Sequence, residues 1–369
     1  MTTIRTREPR ELLALIPYQL GFAPRESAVA VSLRRERSRV GLVVRVDLTD
    51  LADPAGGAEL ARTLVGHLLA DGATSTVLVV YTAGSVDPAS DGPASRAVNA
   101  FRAEAEPLLG DPAAWHVGAS GYRSVGCVDP LCCPPDGRPL SDLECTQVGA
   151  HMVVAGRQIA SSREHLVPKG EAAAGARRAA RRAADRWMAR AELDGDPATL
   201  HRWRRDGLAA WREDLDRCLR DDAPPVGPTR LGRHLGALTD VLVRDAILVG
   251  LVPGCDRLAD RIVAGYSGDE VGAALGSIID PVAGIAPDPT TLHPARRLLE
   301  QVDAHAPRSR RAPALTLLAL VAWWEGDGAR AGIQVGRAIA AQADYRLATL
   351  VDTTLRAGMP PGWLRDRGA

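Results

Sequence analysis

At 369 residues the chain exceeds what one compact core usually holds, so two domains are expected. Its 45 basic and 45 acidic residues cancel, which argues against a general polyanion binder, and with aromatics at 4% the core must be filled by Leu, Val, Ile and Ala. Nearly all the positive charge is arginine; Lys169 is the only lysine, so a lysine-centred active site is disfavoured.

The opening MTTIRTREPRELLALIPYQL is too short in its apolar run, and too proline-broken, for a signal peptide. No window approaches the ~20 apolar residues that cross a bilayer. A cytoplasmic location without membrane attachment is therefore expected, where clustered cysteines serve metal or redox chemistry more often than disulfides.

Val29, Val31 and Leu33 share one side of a first strand; Val40, Leu42, Val44, Val46 and Leu48 share one side of a second. The polar RRERS between them suits a hairpin turn, so the pair is expected to be antiparallel. Leu60, Leu64, Val65 and Leu68 mark a helix over 57–71, closed by Gly72. Val77 to Tyr81 is apolar without alternation, as in a strand covered on both faces. A helix over 94–109, a strand near Trp115 to Ser120 and a helix over 143–155 complete residues 1–168. The expected fold class is an α/β domain, a mixed sheet with parallel crossovers and an antiparallel edge hairpin.

Residues 169–222 read as a helical connector. Its first helix is Ala- and Arg-rich; its second starts at Asp196, an N-cap followed by Pro197, and buries Leu200, Leu208, Trp211 and Leu215. The run 221–228, DDAPPVGP, is a stiff linker. Residues 223–369 then form an all-α domain. Within it, Ala314 to Trp324 and Ala329 to Gln342 read as a helical hairpin resembling a single tetratricopeptide repeat, with Ala331, Val335 and Ala338 at close-packing spacing. A plain hairpin within a bundle is the simpler expectation.

Four phrases point one way: IPYQLGFAPRESAV (Ile16 to Val29), VVRVDL (Val43 to Leu48), YRSVGCVDPLCCPPDG (Tyr122 to Gly137) and WWEGDGARA (Trp323 to Ala331). Together they resemble an actinobacterial family known only as a domain of unknown function. The resemblance implies a bacterial, cytoplasmic, two-part protein and brings no activity with it.

The chemistry-bearing stretch is CVDPLCCPPDG, Cys127 to Gly137. Cys127 and Cys132 stand at a spacing zinc ligands use, with Cys133 as a third ligand and Cys145 or His151 as a fourth. Against zinc, adjacent cysteines diverge in extended backbone, and no second Cys-x2-Cys half-site exists. A Cys132–Cys133 bridge is disfavoured, because neighbouring Cα atoms lie only about 3.8 Å apart. Redox work needs a thiolate of lowered pKa, and Arg123 and Arg138 are the only nearby cations. Structural thiols are the expectation, with zinc the sharper alternative.

Arg45 and Asp47 share one face of the second strand, opposite Val44 and Val46. Were Tyr122, Arg123 and Ser124 to approach them, a polar cleft for a small anion would form; a solvated ion pair is the plainer reading. Arg178, Arg182, Arg186 and Arg190 make a basic stripe, read as a solvated helix face, so nucleic acid is a disfavoured partner. No phosphate-binding Gly-x4-Gly-Lys loop, dinucleotide fingerprint, nucleophile elbow or His-Glu-x-x-His occurs. The expected function is non-catalytic and regulatory, with a protein partner on the helical domain. The alternative is an enzyme or small-anion binder with a cleft of Arg45, Asp47, Arg123 and the cysteine loop.

Overall fold

Alternating Val29 and Val31 are buried on one side of their strand while Ala28 and Ala30 are buried on the other. Both faces of this strand are therefore covered. A computed structural model describes residues 8–34, 39–87, 89–134, 136–168, 170–192, 196–220, 224–280 and 284–365. The expected hairpin turn at 35–38, Lys169, Pro135 and part of the 221–228 linker lie outside the described residues.

Residues up to Leu166 form one compact unit and those from Val167 a second. The first opens with α1 (Pro9–Leu20), β1 (Ser27–Arg34), β2 (Arg39–Asp47), α2 (Leu48–Leu51), α3 (Gly57–Ala70) and β3 (Ala73–Tyr81). It continues through α4 (Pro93–Leu109), β4 (Ala113–Val117), β5 (Gly121–Ser124), β6 (Arg138–Pro139), α5 (Ser141–Glu144) and α6 (Gln147–Val154).

The strands form one sheet in the order β2-β1-β3-β4-β5-β6. The expected hairpin is present: β1 runs antiparallel to β2, and also to β3. Hence β2 and β3 share a direction, joined by α3, and β3 pairs parallel with β4 through α4. Beyond them β5 and β6 return antiparallel. This is the mixed sheet expected from the sequence, extended by two short strands that were not.

Paired residues share a face, so the register tells which residues look the same way. Ala28, Ala30, Val44, Val46, Leu78, Val80 and Ala114 make one face and pack with Leu64, Leu68, Val98 and Phe101 of α3 and α4. The other face is in register from Arg45 through Val29, Val79 and Trp115 to Ser124, and from Asp47 through Ser27, Tyr81 and Val117 to Tyr122. There α1 lies against β2 and touches α5 and α6. The Glu11 carboxylate of α1 accepts hydrogen bonds from the backbone N–H of Gln147 (3.2 Å) and Val148 (2.9 Å), capping α6.

Two expectations shift. The strand expected at Trp115 to Ser120 occupies Ala113–Val117, because Gly118 N–H bonds Gly121 C=O (2.8 Å) and turns the chain into β5. The single helix expected over 143–155 is α5 and α6, broken at Thr146, whose hydroxyl accepts from Gly149 N–H (3.0 Å) as an N-cap. Helix α1, for which the sequence set no expectation, holds Pro17 within it.

The second unit is helical. It comprises α7 (Ala174–Glu192), α8 (Pro197–Cys218), α9 (Pro228–Ala237), α10 (Val241–Gly250), α11 (Asp256–Val263) and α12 (Asp269–Ile279), then α13 (Pro289–His305), α14 (Ala312–Trp324), α15 (Gly328–Ala341), α16 (Arg346–Arg356) and α17 (Gly362–Arg365). The stretch expected as a connector is part of this unit, because Ala180, Ala184, Trp187, Trp203, Leu208 and Trp211 sit in its core. Helix α9 meets α7 at Gly232: a Cβ there would collide with the Ala180 carbonyl, so only glycine permits the approach. The arginine stripe of α7 lies on the exposed side. Among the described residues no helix is long and apolar enough to cross a membrane.

Candidate functional site

The cysteine loop joins β5 to β6 and is shaped by its own turns. Gly126 takes φ +85° just before Cys127. Asp129 closes an Asx turn through Leu131 N–H (2.9 Å) and its carbonyl accepts from Cys133 N–H (2.8 Å). A second turn closes from Gly137 N–H to Pro134 C=O (2.8 Å), with Gly137 at φ +79°. At the far end Arg138 Nε donates to the Cys132 carbonyl (2.7 Å), and Tyr122 pairs with Arg138 across the strands.

These turns bring the Sγ atoms of Cys127, Cys132 and Cys133 within 4.8 Å of one another. The Cys132 and Cys133 sulfurs are 4.0 Å apart. The expectation that these neighbours diverge fails because the chain bends there and is not extended. Three sulfurs around a tetrahedral zinc at ~2.3 Å would stand about 3.8 Å apart, so little closure is needed. Cys133 is buried and accepts Ser124 N–H (3.4 Å), whereas Cys127 and Cys132 are half-buried.

The thiols are electrostatically unequal. The backbone N–H of Asp129, and next the Cys133 thiol, stabilise the Cys127 thiolate and lower its pKa. Burial pushes the Cys133 thiol up. An accessible, acidified thiol thus stands beside a buried one.

Cys127 and Cys132 open onto a cavity of about 300 Å³. Its other walls are Arg10 of α1, Trp115 of β4, Tyr122 and Ser124 of β5, and Arg138 of β6, with Glu8 and Pro9 at the side. The Trp115 and Tyr122 rings stand 6.3 Å apart, tilted by 41°. The Tyr122 hydroxyl is buried beside the Arg138 guanidinium yet makes no hydrogen bond of good geometry.

Other expected site residues lie elsewhere. Cys145 is exposed at the end of α5 and outside the cluster, so it is not the fourth ligand; nor does His151 join. Arg45 pairs with Asp47 (2.6 Å) and donates to the Ser27 hydroxyl (2.8 Å). Four strand spacings, about 19 Å, separate them from Tyr122, so the single cleft joining them to the loop does not form. Strand periodicity also splits the trio: Tyr122 and Ser124 line the cavity, while Arg123 shares the opposite face with His116 and donates to Val86 C=O (3.4 Å).

Two sites were not anticipated. Asp214, with no exposed side chain, accepts from His234 Nε2 (2.8 Å) and Arg230 Nε (2.8 Å), tying α8 to α9. Its only sequence trace was the four-residue spacing of Arg230 and His234. In the same unit, a cavity of about 310 Å³ is lined by Arg297, Glu300, Gln301, Gln334 and Arg337. There Arg337 is ion-paired to the buried Asp303 (2.7 Å).

The family model described as "Domain of unknown function (DUF4192)" matches residues 9–263 and 282–362, nearly the whole chain. No curated protein and no solved structure matches the chain.

Proposed function

The chain belongs to the DUF4192 family, and from its own geometry we propose a regulatory protein whose α/β unit holds a soft divalent metal ion, zinc foremost, on Cys127, Cys132 and Cys133. The observation that carries this is the convergence of three sulfurs within 4.8 Å on one short loop. Thiolate ligands select zinc and other thiophilic ions over magnesium or calcium. Three protein ligands leave a fourth position for water or another ligand, unlike the closed four-ligand structural zinc sites.

The reading extends to the helical unit, which supplies the partner surface. Support comes from the α14–α15 hairpin, where Ala331, Val335 and Ala338 are buried as close packing of a tetratricopeptide-like pair requires. A cytoplasmic setting suits free thiols, and the arginine bias suits the actinobacterial origin that the sequence motifs resemble.

The test is metal analysis of full-length protein purified without chelator, followed by titration with Co²⁺. One equivalent of zinc, and a thiolate-to-cobalt charge-transfer band lost in Cys127→Ser, are expected. Folded protein that purifies metal-free and binds Co²⁺ without such a band would overturn the proposal.

A further inference from the structure

The cavity beside the thiols has the chemistry of a receptor for a small organic anion. Arg138 has its Nε committed to the Cys132 carbonyl, but no carboxylate pairs with its guanidinium among the described residues. Arg10 adds a second cation, ion-paired to the exposed Glu8 at 2.7 Å. Tyr122 lines the cavity and carries a buried hydroxyl that lacks a hydrogen bond of good geometry. A buried polar group left so costs about 1–3 kcal/mol, and an acceptor placed in the cavity would remove that cost. The Trp115 and Tyr122 rings, tilted by 41°, provide an apolar wall.

We infer that this cavity binds a small carboxylate with a planar apolar body, its carboxylate held by Arg138 and the Tyr122 hydroxyl and its body against Trp115. A neutral molecule of the same shape leaves the guanidinium unpaired; a cation is repelled by it. At about 300 Å³ the cavity suits a molecule of benzoate size. The inference goes beyond the metal reading and does not require it, since none of these groups is a thiol. It also supplies the signal such a regulator would read: the Arg138 that grips the ligand also holds the loop through the Cys132 carbonyl, so ligand and metal affinities are coupled reciprocally.

The experiment is calorimetric titration of the full chain with benzoate, once with zinc and once after chelation, with benzyl alcohol as the neutral control. A single site with a dissociation constant on the order of 1 mM or tighter is expected for benzoate in at least one metal state. Benzyl alcohol should bind at least ~10-fold more weakly. Arg138→Gln should weaken benzoate by about tenfold, Tyr122→Phe by several-fold, and Arg45→Gln, four strands away, should leave it unchanged. Tyr122→Phe leaves the loop tie intact, so it decides the matter should Arg138→Gln misfold. No benzoate binding in either metal state, equal binding of benzyl alcohol, or an unaffected Tyr122→Phe would overturn the inference. None of these outcomes touches the cobalt band that tests the metal.

Discussion

Asp214 and His234 show how a buried pair sets its own protonation. Burial would raise the Asp214 carboxyl, but hydrogen bonds from His234 and then Arg230 outweigh it and hold the group below the usual range. Burial pushes His234 down, against the pull of Asp214. The ring is thus neutral, with Nε2–H donating to Asp214 and Nδ1 bare, which explains why Nδ1 has no partner. The edge of the ring meets Trp211. A depressed histidine pKa means that the unfolded chain takes up a proton near pH ~6.5 that the folded chain refuses. Its contribution is complete above that pH and is lost as pH falls toward the folded value. Asp214 acts with the same sign lower down: its contribution is present above about pH 3.9 and is lost as pH falls toward the depressed value. The helical unit should therefore melt progressively lower between about pH 7 and 5, and His234→Gln should flatten that slope. Thermal melts of both proteins across this range check it; parallel curves would contradict the assignment.

At the scale of elements, the legible parts were those with local periodicity. Leu60, Leu64 and Leu68 place α3 within a residue or so, and the Val29 and Val44 alternations place β1 and β2. Short strands carry no such signal: β5 and β6 exist because Gly121 lets two backbones nearly touch. A Cβ on Gly121 would lie 2.6 Å from the Arg138 carbonyl oxygen and 2.9 Å from that of Asp136, both backbone atoms that cannot swing aside. The break at Thr146 has a local trace in its N-cap hydroxyl, but its other support, Glu11, lies 137 positions before Val148, where no local pattern reveals it. Gly121→Ala should thus push β6 and the cysteine loop off β5, freeing the Cys132 carbonyl from Arg138. Zinc affinity is expected to fall by about 10–100-fold, as when outer supports of a metal site are lost. Gly66→Ala in α3 is the control: nothing lies within 4 Å of its Cβ, so it should be neutral or slightly stabilising. Competition of each variant with a zinc-sensitive dye measures this, and unchanged affinity in Gly121→Ala would refute the role of the strand contact.

For the whole molecule the decisive fact is that two cores exist, one built on the sheet and one on helices α7 to α16. The cysteine site was legible because it is one loop; Arg10 and Trp115 were not, because they reach it from α1 and β4, distant in sequence. The Asp214 triad was hidden for the same reason, Asp214 sitting on α8 and its partners Arg230 and His234 on α9. Each core has its own chemical handle, and that makes their independence testable. Zinc at about 1,000 times its dissociation constant stabilises the unit that binds it by ~4.1 kcal/mol. For a unit of this size that is roughly 8–16 °C in melting temperature. Calorimetry of the full chain should show two transitions, of which zinc raises one, and Cys127→Ser abolishes that rise. Asp214→Ala leaves the buried His234 Nε2–H without an acceptor, while Arg230 keeps Glu213 (2.8 Å), and should cost the other unit about 1–3 kcal/mol, lowering only its transition. A zinc shift spread over both transitions, or a drop in both on removing Asp214, would mean that the two cores fold as one cooperative body.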